Sequence, residues 1–487
     1  MPLPEGMEPA AKRLLGVAAL MSCWWVGEVA PLAAVALIPL VLFPFLGVLG
    51  MEKTAACYAD QTIFLFLGGL LIAAASQRWG LHRRMALNVL CLLGARPRSL
   101  VLGFMAATAS VSMWVSNTAT AVMMFPIALS VLLYVTGKKP EEIRQARGEE
   151  RNFSVALMLG IAYGASIGGI ATLVGTPPNL VLAGQLHKLF PGAPEIGFAR
   201  WMAAGVPLSL LFVAAAWYCL CWILFPVKWL GTERGRDLLC REREKLGRMS
   251  RGEAWTLAAF LAAVLLWLTR EPLPLGSFRF PGWSGILPWA ASVGDSTVAM
   301  AAALALFLAP VDRSRGVTAL NWEWASKIPW DVLLLFGGGF ALAGAFRQTG
   351  LSGWFAGRLE GLESLPPVAM VPAVCLLMTL LTELTSNTAS TAVMLPVLAA
   401  TAVKIHVNPL VLMIPATLSA SCAFMLPVGT PPNAVVFASG CIDVATMARA
   451  GLVLNLVGLV LIPLVLFVVG FDLLQVSTTA MPAWATP

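Results

Sequence analysis

Two short polar strings, each present twice in an otherwise apolar chain, constrain this sequence more than any other feature. Ser116-Asn117-Thr118 lies within Val115-SNTATAV-Met123, and Ser386-Asn387-Thr388 lies within Thr385-SNTASTAV-Met394. Downstream of each comes a second shared string, Gly175-TPPN-Leu180 and Gly429-TPPN-Ala434. Hydrophobic residues fill 59% of the 487 positions and charged residues 12%, against roughly 25% charged in a soluble domain. The chain therefore reads as an all-α polytopic membrane protein. A membrane tolerates polar, helix-breaking backbone only where it is buried in protein or lines a cavity. Matched polar strings in the same order then imply a duplicated binding site.

A membrane span takes roughly 20 apolar residues. Simple spans are expected at 14–27, 30–50, 61–77, 204–227, 254–269, 295–311, 331–346 and 450–471. Four stretches do not fit this pattern. Residues 99–137 carry no charge, and 364–403 carry only Glu383; each holds an SNT string near its middle. Residues 153–190 and 408–440 are too long for one crossing, and each holds a TPPN string near its centre. Proline lacks an N–H and clashes with the preceding turn, so Pro177-Pro178 and Pro431-Pro432 must interrupt a helix. Thr176 and Thr430, each before a proline, are pushed to extended backbone. The simplest geometry is a helix broken at mid-membrane for each TPPN and a re-entrant hairpin for each SNT. Two full spans joined by a surface turn are the alternative for the hairpins. Such a turn attracts charge, and the first tip has none beside it.

The strings belong to a longer repeat. Asp60–Ile72 resembles Asp331–Ala343 at an offset of 271, the SNT strings are offset by 270 and the TPPN strings by 254. The difference corresponds to the charged loop 137–152. A weaker echo pairs Trp25–Glu28 with Trp267–Glu271. Repeat one is expected at 11–230, repeat two at 252–475, with 228–251 as a basic linker. The linker holds Lys228, Arg234, Arg236, Arg241, Arg243, Lys245, Arg248 and Arg251, so it should be cytoplasmic. The loop 137–152 and Arg78–Arg84 should share that side. Repeat two then enters the membrane from the opposite side, as an inverted-topology repeat. The net charge of +7 is explained by these loops and needs no nucleic acid. The nine cysteines show no metal or disulfide spacing and read as small hydrophobes. No cleavable signal peptide is expected, and no polar stretch is long enough for a soluble domain.

The chemistry of the strings follows from the breaks. A helix N-terminus carries free N–H groups and partial positive charge, which suits carboxylate, phosphate or sulfate. Free carbonyls, hydroxyls and an Asn carbonyl make a hard oxygen cage for a small cation. Ser112 and Ser116 are four apart on one helical face, Thr382 and Ser386 repeat the spacing, and Asn117 and Asn387 follow. Gly175 and Gly429 allow close backbone approach. No Arg, Lys or His lies within the strings, so co-bound cations and helix dipoles would have to neutralise an anion.

With Trp24–Pro44, the paired strings resemble the divalent-anion:sodium symporter family, over nearly the whole chain. The resemblance implies a multi-pass carrier of the cell (inner) membrane, surrounded by lipid. It implies a homodimeric elevator, in which a scaffold part holds the dimer and a transport part carries the hairpins and broken helices. Ser112, Ser116, Asn117 and Gly175 would form one sodium site, and Thr382, Ser386, Asn387 and Gly429 the other. Asn117, Thr118, Thr176, Pro177, Asn387, Thr388, Thr430 and Pro431 would contact substrate carboxylates. Family members commonly carry a helix ahead of the Trp24-Trp25 span; its lack here would put the N-terminus outside, which Lys12 and Arg13 oppose.

Single residues have plainer readings. Ser112 and Thr382 taken alone would bond back to a carbonyl one turn earlier. Glu383, whose counterpart is Met113, is equally a functional acid or a structural hydrogen-bonder. Glu28 and Glu271 end helices, His82 and His187 look interfacial, and Arg83-Arg84 and Trp354–Arg358 look amphipathic. The leading expectation is sodium-coupled symport of C4 dicarboxylates (succinate, malate, fumarate) or related di- and tricarboxylates. Dicarboxylate exchange on the same fold and transport of sulfate or another inorganic dianion are the alternatives. An enzyme would need a nucleophile–base pair or a metal cluster in the membrane, and the sequence offers none.

Overall fold

The computed structural model describes residues 7–27, 29–92, 96–138, 142–143, 147–227, 234–275, 278–280, 282–289, 292–351 and 366–485. Glu28 and Trp354–Arg358 lie outside them. The described chain is almost wholly helical. It begins with α1 (Pro9–Val26), α2 (Leu32–Ala36), α3 (Ile38–Phe45), α4 (Met51–Ala56), α5 (Gln61–Trp79) and α6 (Leu81–Leu92). The single span expected at 30–50 is instead two short helices, α2 and α3, meeting at Leu37. Pro39 has no N–H to offer the carbonyl one turn back, so the helix divides there. The Ala36 carbonyl is used elsewhere, accepting from the Tyr58 hydroxyl.

Next come α7 (Pro97–Ser112), α8 (Asn117–Thr136), α9 (Gly148–Gly169), α10 (Pro177–Leu189) and α11 (Phe198–Tyr218), the last running on as a π-helical segment over Cys219–Leu224. The basic linker holds a helix of its own, α12 (Arg234–Lys245). Then follow α13 (Arg251–Leu268), α14 (Asp295–Leu308), α15 (Trp330–Gln348), α16 (Pro367–Leu384), α17 (Asn387–Lys404), α18 (Pro409–Ala420), α19 (Pro431–Phe437) and α20 (Val444–Val465). Two small antiparallel ribbons pair Leu273–Leu275 with Phe278–Phe280 and Pro310–Asp312 with Val317–Thr318. Among the described residues, eight helices are long and apolar enough to cross a membrane. The chain is a multi-pass membrane protein.

Polar contacts mark two opposite ends of the bundle. At one end Arg98 donates to the Val227 carbonyl (2.6 Å), Lys138 pairs with Glu150, and Arg151 pairs with Asp443 (3.0 Å). The outer ends of α7 and α8 thus lie together, beside the starts of α9 and α20. At the other end Lys188 pairs with Asp60 (2.9 Å), Arg200 with Glu271 (3.0 Å) and Arg270 with Asp295 (2.8 Å). A cavity of about 140 Å³ there is lined by Glu195, Arg200, Asn408 and Leu474, which puts the start of α18 at this end.

Each hairpin's first arm runs parallel to the helix that precedes the TPPN break. Gly160, Gly164 and Gly168 form a stripe on α9, and Cβ atoms there would stand 3.0 Å from Met105 Cγ, 2.9 Å from the Met105 oxygen and 2.4 Å from the Ala109 oxygen. Small residues at this spacing let two backbones approach closely. In the second half Cys375 faces the Pro415 carbonyl and Thr382 the Ala420 carbonyl, so α16 and α18 also run side by side in one direction.

Candidate functional site

Both SNT strings sit at the hairpin turns. Ser116 is the N-cap of α8, its Oγ accepting from Ala119 N at 3.3 Å, and Asn117 is the first residue of that helix. Ser386 holds the same place before α17, with Asn387 first in the helix. Both TPPN strings start a helix: Thr176 (φ −143°, ψ 140°) and Thr430 (φ −153°, ψ 144°) are extended, and the prolines open α10 and α19. Proline at the first helical turn costs no hydrogen bond, so the prolines open the second helix of each pair, the first having already ended at Gly169 or Ala420.

The two halves repeat the same contacts. Ser112 Oγ lies 2.7 Å from Asn117 Oδ1 and 2.8 Å from the Ala165 oxygen. Thr382 Oγ1 lies 2.6 Å from Asn387 Oδ1 and 2.8 Å from the Ala420 oxygen. Neither hydroxyl makes the bond to a carbonyl one turn back that it would make in isolation. Asn179 Nδ2 donates to the carbonyls of Thr172 (2.7 Å) and Gly169 (3.3 Å). Asn433 Nδ2 donates to those of Leu426 (2.9 Å) and Ala423 (3.0 Å). The last residue of each TPPN string thus staples its own break, a role that only the repetition of the string hinted at.

The geometry around Asn117 is unusual. The amide end occupied by Oδ1 faces the Ser112 hydroxyl (2.7 Å), the Ala165 carbonyl (3.1 Å) and the Gly175 carbonyl (3.3 Å). Every one of these is an oxygen. The NH₂ end faces only donors, so turning the amide satisfies both of its ends. Amide orientation is assigned from the surrounding network, so the environment decides it. Gly175 completes the cluster because nothing larger fits: a Cβ there would stand 2.5 Å from the Gly169 oxygen and 3.0 Å from the Met113 oxygen.

The second break adds a buried acid. The buried Glu383 carboxylate accepts from the backbone N–H groups of Phe424 (2.8 Å), Met425 (2.9 Å) and Leu426 (3.2 Å), and from Asn455 Nδ2 (2.7 Å). Gly429 lies against it, a Cβ there falling 3.2 Å from Glu383 Oε2. Of the residues expected to meet substrate, Thr176, Thr388 and Thr430 are buried, Asn117, Pro177 and Asn387 are half-buried, and Thr118 and Pro431 are exposed. Helix packing crosses the halves: α10 lies on α17 and α18, and α19 on α8 and α9. Tyr163 donates its hydroxyl to the Phe424 carbonyl (3.1 Å), joining the helix before the first break to the second break. Gln185 Nε2 donates to the Ala392 carbonyl at 2.8 Å.

A family model described as the sodium:sulfate symporter transmembrane region matches residues 1–474. The chain belongs to this family. Among curated relatives it is similar to a protein of Staphylococcus saprophyticus named sodium-dependent dicarboxylate transporter SdcS. Identity is 39% over 483 residues, covering 97% of this chain and 89% of that protein. The protein of the same name from Staphylococcus aureus (strain NCTC 8325 / PS 47) is 38% identical over 481 residues, with the same coverage. Two solved structures share the fold at low identity. One is Neisseria gonorrhoeae MtrF (TM-score 0.59, 13% identity, covering 90% of this chain and 87% of that one). The other is the Alcanivorax borkumensis YdaH transporter (TM-score 0.57, 14% identity, 96% and 99%).

Proposed function

We propose that this protein is a secondary transporter coupling inward sodium movement to uptake of C4 dicarboxylates such as succinate, malate and fumarate, or of related di- and tricarboxylates. The observation that carries the reading is the recurrence in both halves of one hydroxyl–amide–carbonyl cluster, Ser112 with Asn117 and the Ala165 carbonyl, and Thr382 with Asn387 and the Ala420 carbonyl. Hydroxyl, carboxamide and carbonyl oxygens are the ligand types that a small hard cation takes. Ser112, Ser116, Asn117 and Gly175 are the residues assigned to one sodium ion. Thr382, Ser386, Asn387 and Gly429 are assigned to the other, supported by the recurrence of the hydroxyl–amide–carbonyl contacts. Sodium here is cargo, and its charge substitutes for the Arg or Lys that the strings lack.

The anion is assigned to the helix N-termini of α8, α10 and α17, a reading supported by the packing of α10 on α17. Asn117, Thr118, Thr176, Pro177, Asn387, Thr388, Thr430 and Pro431 are the proposed carboxylate contacts. An anion entering before the cations would meet an oxygen-rich surface with no positive side chain, so binding is ordered, and that order is the coupling. The relatives named as sodium-dependent dicarboxylate transporters favour dicarboxylate over sulfate.

Residues 11–230 and 252–475 are read as inverted repeats with re-entrant hairpins, supported by hairpin feet that meet opposite ends of the bundle. The basic linker 228–251 assigns the Arg98–Val227 end to the cytoplasm. A homodimer in which the hairpins and broken helices move as one body is the family-based part of the reading.

The test is succinate uptake into proteoliposomes with and without an inward sodium gradient. Accumulation that requires sodium supports symport. Exchange against internal dicarboxylate, without uphill uptake, would replace it with antiport and recast the SNT strings as anion contacts. Inhibition by sulfate with no succinate uptake would move the substrate to inorganic dianions.

A further inference from the structure

The geometry points to Glu383 as a positioning residue for the second cation site, doing there what a threonine hydroxyl does in the first. This rests on the proposed function, because it takes the oxygens around Asn117 and Asn387 as cation ligands. In the first half Thr172 ties the break to the hairpin: its Oγ1 donates to the Met113 carbonyl (2.5 Å) and accepts from Gly175 N (3.0 Å). The ligand-bearing Gly175 is thereby fixed to the hairpin turn. At the offset of the TPPN strings the counterpart of Thr172 is Leu426, which has no hydroxyl. That brace is absent from the second half. The hairpin residue aligned with Met113 is Glu383, and its carboxylate takes over the task.

Its partners are specific. Three consecutive amides, Phe424, Met425 and Leu426, point at one carboxylate, and Asn455 Nδ2 on α20 closes the remaining side. Gly429 N bonds back to the Leu426 carbonyl at 3.2 Å, so the clamp on residues 424–426 extends to Gly429. Thr382, whose hydroxyl faces Asn387, is the residue before Glu383. One side chain therefore holds the hairpin ligand and the break ligand in register. A carboxylate buried in a membrane protein is costly unless every lone pair is used, and these bonds to an ionised group are stronger than neutral ones. Glutamine in its place keeps the length but turns an NH₂ toward amides that need an acceptor.

In purified full-length protein, sodium binding is followed as the sodium-dependent rise in melting temperature, and in proteoliposomes as the sodium concentration giving half-maximal succinate uptake. For Glu383→Gln the half-saturating sodium is expected to rise about tenfold, within the usual range for coupled sites, and the cooperativity in sodium to fall. Asn455→Ala, which removes one donor and leaves the carboxylate, should move both readouts the same way by less, and it stands in if Glu383→Gln does not fold. Asn387→Ala is the reference that removes a proposed ligand outright. If Asn387→Ala loses the sodium response while Glu383→Gln and Asn455→Ala keep wild-type half-saturation, Glu383 is merely structural and the inference is overturned with the sites intact. If all three keep the wild-type response, the cation sites themselves are wrong and the inference goes with them.

Discussion

Gly169 offers the sharpest test of the first proposed cation site, because one methyl group suffices. A Cβ built at Gly169 would stand 2.6 Å from Asn117 Oδ1 and 3.1 Å from Nδ2. Ordinary contact begins near 3.4 Å, so the amide must retreat by about 0.8 Å. Binding constellations need their groups held within roughly 0.5 Å, so Gly169→Ala should displace Asn117 from the oxygen cluster while leaving every proposed ligand in the sequence. Overpacking of this kind costs about 1–3 kcal/mol of stability, which a large helical bundle survives. The expected result is a folded, monodisperse protein whose half-saturating sodium for succinate uptake rises about 10- to 100-fold, or about 1.4–2.8 kcal/mol. At the TPPN offset the second half already carries Ala423, so Ala423→Gly is the matched control and should change sodium dependence little. Wild-type sodium dependence in Gly169→Ala, with the protein folded, would refute the assignment of Asn117 as a ligand.

Asn117→Ala and Asn387→Ala should each abolish sodium-driven uptake with a monodisperse elution profile in detergent; near-normal uptake in both would remove the proposed sites. A cysteine placed at Arg241 should react with an impermeant thiol reagent only from the cytoplasm, and one at Gln475 only from outside, in a background lacking native reactive thiols. Labelling of both from one side would break the inverted topology. Asp443→Ala removes the N-cap of α20, where Oδ1 accepts from Thr446 N at 2.8 Å, and should lower stability by about 1 kcal/mol. The capping bonds from Thr446 hold the Asp443 carboxyl below its usual range. Its contribution is therefore present above the unfolded carboxyl's pKa of about 3.9 and is lost as pH falls through the lower folded value; melting curves of wild type and Asp443→Ala should converge in acid.

The membrane class, the helix boundaries and the places where helices break were legible in the sequence, because each follows from local chemistry. An apolar run of fixed length must be a span, and Pro177-Pro178 or Pro431-Pro432 cannot lie inside a helix but can begin one. Hence the expected stretches 99–137, 153–190, 364–403 and 408–440 coincide closely with the paired helices found there. The stretch 30–50 departs from one continuous helix because hydropathy does not register Pro39, whose missing N–H divides α2 from α3. Repetition of the strings singles out the polar residues of the proposed sites, but not what they touch. Asn117 facing the Ala165 and Gly175 carbonyls, Tyr163 reaching Phe424, and Glu383 gathering three amides and Asn455 join residues 41 to 261 positions apart, or helices packed through glycine contacts. Such contacts depend on how helices cross, and crossing is settled by side-chain volumes summed over the whole bundle, which no local pattern encodes. That is also why Glu383 was undecided in the sequence: a lone acid in an apolar helix is defined by the donors that tertiary packing brings to it.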